Sequence, residues 1–286
     1  MRPSFGKNGL IVGIILLFLG VIITLQSQGT LTNESDHSEF KGIILYVGGS
    51  DIGNYSSIQE AIDNASDGDT VFVYNDSSPY YENVKVNKSL NLIGEDKDTT
   101  VINGIKFRDV VHISADEVNI SGFTIRNNGD YNGIKISSNF NTIIDNSISN
   151  NGDGIEIFCS YFNTIKGNTI SSNNNNGIYL YISNYNTIRD NIITSNNKYG
   201  IKIKWSRFNI IIKNNIINNE QDAYFINNHF LFLYRNRWRR NYWNEPQILP
   251  KLIIGEVFRT QFPESEIIII PWIQFDWRPA KEPYDI

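Results

Sequence analysis

Apolar residues in the middle of this chain alternate over short runs, and the same alternation returns at a nearly fixed interval. Between Gly133 and Asn228 four segments open on Gly-Ile-x-Ile or its leucine variant, with glycines at positions 133, 154, 177 and 200. The spacings are 21, 23 and 23 residues, and Ala223 continues the series. A period in this range marks a solenoid, in which each repeat buries its apolar face only against its neighbours. The paired inward positions of the opening strand are Ile134 and Ile136, Ile155 and Ile157, Ile178 and Leu180, and Ile201 and Ile203. A second strand is centred on Ile143, Ile165, Ile188 and Ile211, and a third on Ile148, Ile170, Ile193 and Ile216. Short β-branched strands parted by Asn, Ser and Gly predict an all-β fold, a three-sided parallel β-helix with about 23 residues per coil. A leucine-rich repeat has a similar period but needs leucines and usually a helical leg, and the asparagine-rich turns leave no room for one.

The polar positions are as regular as the apolar ones. Asn141, Asn163, Asn186 and Asn209 form one column, and Asn146, Asn168, Asn191 and Asn214 another five residues later. Asparagine tolerates the left-handed backbone that tight corners demand, and stacked amides hydrogen-bond along the solenoid axis. The asparagines at 173–176 and 196–197 read as solvated loop. Ser138, Ser160, Ser183 and Ser206 make a further column, beside Phe140, Phe162, Tyr185 and Phe208. Phenylalanine outnumbers tyrosine in that aromatic column, which favours inward stacking in the core over an outward ladder suited to a glycan.

These motifs resemble the right-handed parallel β-helix proteins of the pectin-lyase-like fold, with the carbohydrate-binding and sugar-hydrolysis repeat and the periplasmic copper-binding NosD-type family within it. The resemblance rests on the N-T-I-x-x-N-x-I core (Asn141 to Ile148, Asn163 to Ile170, Asn186 to Ile193) and the following glycine strand. Ser57 to Val73 and Val118 to Asn127 look like that family's usual opening. The resemblance implies a right-handed single-stranded solenoid over roughly residues 45 to 220. It also implies that active relatives are lyases, hydrolases or epimerases of acidic polysaccharides, with clustered aspartates and a basic partner on one exposed sheet. The paired Asp-Asp and Gly-His-Gly segments of polygalacturonase-like enzymes are missing. The copper handling implied by the NosD-type name sits poorly with one Cys, Met1, and His37, His112 and His229, because soft copper sites want Cys, Met and His together.

The ends of the chain read differently. Leu10 to Leu25 is an uninterrupted apolar run after Arg2 and Lys7, with small residues Ser27 and Gly29 behind it. Residues 1–29 are therefore a signal peptide or an N-terminal membrane anchor, and either places the solenoid outside the cell membrane. A polar linker covers residues 30–42. Ser57-Ile-Gln-Glu60 reads as a capping box, and Ile58, Ala61, Ile62 and Ala65 give one face of a short N-terminal capping helix. The β-helix with its cap is assigned to 43–228 and a C-terminal capping tail to 229–286. That tail is rich in Arg and Trp, so a sugar- or partner-binding patch there is compatible with capping.

Net charge is −5 with 19% charged residues, which offers no basic footprint for nucleic acid. The single cysteine, Cys159, excludes an intrachain disulfide and reads as a buried small hydrophobe. Six N-x-S sequons, at Asn33, Asn54, Asn64, Asn75, Asn87 and Asn119, would be accessible outside the membrane. Three candidate sites follow. The corner column Asp145, Gly167, Asp190, Lys213 sets two carboxylates two coils apart, about 9 to 10 Å at the usual strand spacing, the upper edge for an inverting glycosidase pair. The outward column Lys135, Glu156, Tyr179, Lys202 is a ligand-facing strip or a stacking-support pattern. Trp238 and Trp243 are candidate sugar platforms. No metal ligand set is assigned; calcium enters only if the chain is a lyase. The expected function is non-catalytic binding of polysaccharide or cell-envelope glycan. Its alternatives are a lyase or glycosidase acting on an acidic polysaccharide and a purely structural envelope component.

Overall fold

The computed structural model describes residues 42–286 apart from 106, 127–128, 228–234, 248 and 262–265. The signal or anchor segment, nearly all of the polar linker and the Asn33 sequon lie outside the described residues. No helix among the described residues is long and apolar enough to cross a membrane. The fold is a right-handed-type parallel β-solenoid of about eight turns, and each turn between Val84 and Trp243 contributes one strand to each of three faces.

Face A carries the glycine-opened strands, for example Ile134–Ile136, Ile155–Phe158, Ile178–Tyr181 and Tyr199–Lys204, in parallel register. Face B carries Thr142–Ile144, Thr164–Lys166, Thr187–Arg189 and Ile210–Ile212. Face C is an 8-stranded sheet that includes Ser147–Ser149, Thr169–Ser171 and Ile192–Thr194. The register stacks like on like: Ile143 on Ile165 on Ile188 on Ile211, and Ile148 on Ile170 on Ile193 on Ile216. All eight are fully buried. Each therefore removes its whole side chain from water, roughly 1.5–3 kcal/mol apiece.

The corners explain the polar columns. The residues at 140, 162, 185 and 208, at 145, 167, 190 and 213, and at 150, 172, 195 and 218 all have φ between +54° and +67°. Only Gly167 among them is glycine, and a left-handed L-residue costs roughly 1–2 kcal/mol. The residue after each of these is an asparagine aimed inward. Asn163 shows the offset: its backbone N and Nδ2 donate to Asn186 Oδ1 at 2.9 and 3.1 Å, and Nδ2 also donates to Ser138 O at 3.1 Å. The amide is buried and satisfied along the axis, so the ladder holds the strained corner in place.

There are three such ladders, not two. Asn151, Asn173, Asn196 and Asn219 repeat the same bonds, with Asn173 N and Nδ2 reaching Asn196 Oδ1 at 3.2 and 2.9 Å. The reading of 173–176 and 196–197 as solvated loop is corrected accordingly: Asn173, Asn176 and Asn196 are buried. The serine column forms a shorter ladder, with Ser160 N donating to Ser183 Oγ at 3.1 Å and Ser183 N to Ser206 Oγ at 2.8 Å.

The opening glycines have their own cause. A Cβ on Gly177 would lie 2.6 Å from Ile193 Cγ2 and 2.7 Å from the Gly200 carbonyl oxygen. Here the backbone itself fills the core, and no side chain fits.

Helix α1 (Ile58–Asn64) covers the first coil, with Ile58, Ala61 and Ile62 buried. Ser57 Oγ accepts from Glu60 N at 3.2 Å, and the Glu82 carboxylate accepts from Ile58 N and Gln59 N at 2.9 Å each. At the other end, stacking continues past Asn228. Arg237–Arg239 pairs with Ile210–Ile212, and Tyr242–Trp243 with the strand Asn215–Ile217. An antiparallel hairpin, Lys251–Gln261 with Glu266–Asp276, then joins faces A and B into one 18-stranded sheet. Asp276 ends the second ladder. Its buried carboxylate accepts from Asn241 N and Nδ2 at 2.9 and 3.1 Å, Trp243 Nε1 at 3.1 Å and Arg240 N at 3.1 Å.

Candidate functional site

The inward stacking expected of the aromatic column is overturned. Phe140, Phe162 and Tyr185 are 55%, 51% and 48% exposed, and Phe208 is half-buried. The cause is the alternation at the corner. Each aromatic residue sits in the left-handed position immediately before a ladder asparagine that points inward, so its own side chain points out. The rings stack face to face along the axis, with centroids 5.3, 5.4 and 5.0 Å apart and interplanar angles of 8°, 17° and 13°. Four coils thus present a continuous column of stacked rings to solvent, each ring covering the face of the next. Cys159 is corrected likewise: it is exposed, because it occupies a left-handed corner position next to inward Ser160.

A second aromatic strip lies on face A. Phe158 and Tyr181, outward at the end of the opening strand, and Trp205, at the corner just after it, come together at 5.7 and 5.5 Å. Lys135 lies over Phe158 at 5.1 Å, and Lys204 over Tyr181 and Trp205 at 5.2 and 4.5 Å. Sequence reasoning missed Phe158, Tyr181, Lys204 and Trp205. The available signal for Phe158, Tyr181 and Lys204 was their place directly after each Gly-Ile-x-Ile or its leucine variant, which strand alternation turns outward; Trp205 follows Lys204 at a left-handed corner outside that pattern.

The column Lys135, Glu156, Tyr179, Lys202 is brought together as a register row. Lys135 Nζ pairs with Glu156 Oε2 at 3.1 Å, and Asn132 Nδ2 donates to the same oxygen at 2.9 Å. Lys202 Nζ lies 5.3 Å from the Tyr179 ring centroid and 5.6 Å from that of Tyr199. Burial pushes the Tyr179 phenol up to about 12 and holds the Lys202 ammonium below its usual range. Asp153, whose Oδ1 accepts from Asn176 N and Nδ2, is raised by burial. This row is internally paired, and its cations are spent partly on its own rings.

Asp145, Gly167, Asp190 and Lys213 all occupy left-handed corner positions. Asp145 pairs with Lys97 at 2.6 Å and Asp190 with Arg189 at 2.8 Å, so each carboxylate has its own cation and the two share none. Trp238 and Trp243 are corrected as sugar platforms. They are 3% and 0% exposed and stand in the core positions of the last coil, registered with Ile211 and Ile216.

Among the described residues no group of three or more His, Cys, Asp or Glu side chains gathers to hold a metal ion. The described histidine, His112, meets Ser137 Oγ at 3.3 Å. It stands two coils before Glu156 in the face A register, while Cys159 lies three residues beyond Glu156. The described residues do not form a soft copper site.

With this geometry in place, the comparisons identify the class. A family profile described as "Periplasmic copper-binding protein (NosD)" matches residues 62–259. The chain belongs to this family of β-helix proteins. A search of curated proteins gives no match. Among solved structures it is similar to a pectin methylesterase from carrot, at TM-score 0.48 and 12% identity over 70% of this chain and 82% of that one. It is also similar to ORF18 of Geobacillus virus E2, at TM-score 0.41 and 12% identity, over 94% and 67%. A third is the mannuronan C-5 epimerase AlgE4 A-module of Azotobacter vinelandii, at TM-score 0.28 and 14% identity, over 65% and 83%. The β-helix assignment itself rests on the strand pairing described above.

Proposed function

We propose that this protein is a non-catalytic binder of polysaccharide or cell-envelope glycan, held along the corner between faces A and B. The observation that carries the reading is the exposed ladder Phe140–Phe162–Tyr185–Phe208. Exposed rings stacked over four coils leave apolar area in water without adding to the core, and such a surface fits a repeating ligand that buries it. A sugar chain presents apolar ring faces at regular intervals, and a rigid solenoid keeps the platform preorganised. The separate ion pairing of Asp145 and Asp190 supports a binding role over an acid–base pair. A signal or anchor segment at residues 1–29 would deliver such a binder to the envelope.

The test is binding to a panel of neutral and acidic polysaccharides by affinity electrophoresis. Wild type is expected to be retarded by at least one of them, and Phe162→Ser with Tyr185→Ser to weaken that binding about tenfold, equal to about 1.4 kcal/mol. Undiminished binding by the double variant would overturn the reading. So would release of unsaturated uronate ends from an acidic polysaccharide by the purified protein.

A further inference from the structure

The end of the solenoid holds a groove of about 460 Å³ whose lining includes Arg237, Arg239, Arg278, Gln274, Phe275 and Trp277. The volume lies in the range of small-ligand sites and suits one or two sugar rings. Its floor is fixed. Trp238, buried beneath it, donates from Nε1 to Gln274 Oε1 at 2.8 Å. Arg240 N and Arg278 N both donate to Asp276 Oδ1, at 3.1 and 3.2 Å, which holds the segment carrying Trp277 against the last coil. Trp277 is 65% exposed, with its ring 4.8 Å from that of Phe275. Among the described residues Arg237, Arg239 and Arg278 enter no ion pair. These three of the four guanidinium groups that line the groove, in a chain of net charge −5, repel one another unless an anion lies between them.

The groove also lies in line with the ladder. Asn209 N donates to Asn236 Oδ1 at 3.0 Å, so Arg235 stands one coil beyond Phe208 in the aromatic column, and Arg235 borders the groove. The geometry points to an anionic subsite: the Arg237–Arg239–Arg278 groove binds a sugar residue bearing a carboxylate or sulfate, with its ring against Trp277. This deepens the proposed function and rests on it, because the residue bound here would continue a glycan lying along the ladder. Guanidinium forks pair with planar oxyanions in two-point fashion, which an ammonium does not match.

The experiment titrates the full chain with oligogalacturonate, a sulfated oligomer of the same length and a neutral galactan oligomer, reading intrinsic tryptophan fluorescence. Wild type should bind at least one anionic oligomer about tenfold or more tighter than the neutral one, and the preference should shrink with added salt. Which anion wins separates carboxylate from sulfate. Arg237→Gln with Arg239→Gln and Arg278→Gln should abolish the preference while leaving neutral binding unchanged. Trp277→Phe should remove most of the fluorescence change. An anionic preference that survives the triple substitution overturns the groove and leaves the ladder standing. Loss of that preference in the triple variant, with unaltered neutral binding by Phe162→Ser/Tyr185→Ser, upholds the groove and overturns the ladder. A wild type that binds no oligomer overturns both.

Discussion

Replacing Asn186 by alanine tests how the solenoid stands up. Asn186 Oδ1 accepts from Asn163 N at 2.9 Å and Asn163 Nδ2 at 3.1 Å, and its Nδ2 donates to Ser160 O, Asn184 O and Asn209 Oδ1 at 3.1 Å each. Asn163, Asn186, Ser160 and Asn209 are all fully buried, so water does not replace the lost amide. Asn209 Oδ1 keeps the bond from the Asn186 backbone N at 2.8 Å. The orphaned groups are then the Asn163 N–H, one Asn163 amide hydrogen and the Ser160 carbonyl. At about 1–3 kcal/mol for each unsatisfied buried group, with some relaxation, the loss is about 3–6 kcal/mol. That is a large part of an ordinary folding free energy. Urea unfolding followed by circular dichroism should show a lower midpoint with little change in slope. Asn197→Ala, at an exposed position one residue past the third ladder, is the control and should stay within about 0.5 kcal/mol. If Asn186→Ala behaves like that control, the ladder is not what holds the corner, and the account of the fold fails.

Other outcomes follow from the same geometry. Asp276→Ala strips five donors, Arg240 N, Asn241 N, Asn241 Nδ2, Trp243 Nε1 and Arg278 N, of their acceptor; it should unfold the last coil first, seen as loss of near-ultraviolet tryptophan dichroism, by about 3 kcal/mol or more. Gly177→Ala should cost several-fold more stability than Gly167→Ala. The first drives a Cβ to 2.6 Å from Ile193 Cγ2, whereas the second, at φ +67°, meets only Asp145 N at 3.8 Å and pays about 1–2 kcal/mol of backbone strain; thermal melts distinguish them. Burial raises Asp153 above its unfolded value, so the folded state holds its proton more tightly and stability falls as pH rises through that window. Asp153→Asn, which keeps the acceptor for Asn176, should therefore stabilise at pH 7 and lose the gain at pH 3; an equal gain at both would contradict the burial argument.

The periodicity carried the architecture, because a stacked register repeats the same residue at the same place. It carried less about which residues face out. Phe140 and Phe162 looked like core residues by composition, yet the inward asparagine that follows each of them fixes an outward direction. The third ladder was hidden in the run from Asn173 to Asn176. Its members stand five residues after the second ladder, the same offset that separates the second from the first. Trp238 and Trp243 read as surface residues among arginines, but Asn236 and Asn241 continue the ladders, and Arg-Trp-Arg repeats the out-in-out alternation of Ile210–Ile212. The groove at Arg237, Arg239, Arg278 and Trp277 depends on the hairpin folding back onto the last coil, a contact between segments with no shared pattern.

The central claim is that the outward aromatic ladder binds a glycan. Its most direct measurement compares wild type with Phe162→Ser/Tyr185→Ser for retardation in gels containing each polysaccharide, after dichroism has verified the β signature of both. The account predicts retardation of wild type and a dissociation constant about tenfold weaker for the double variant. Equal retardation of the two proteins, or none of either, would contradict it.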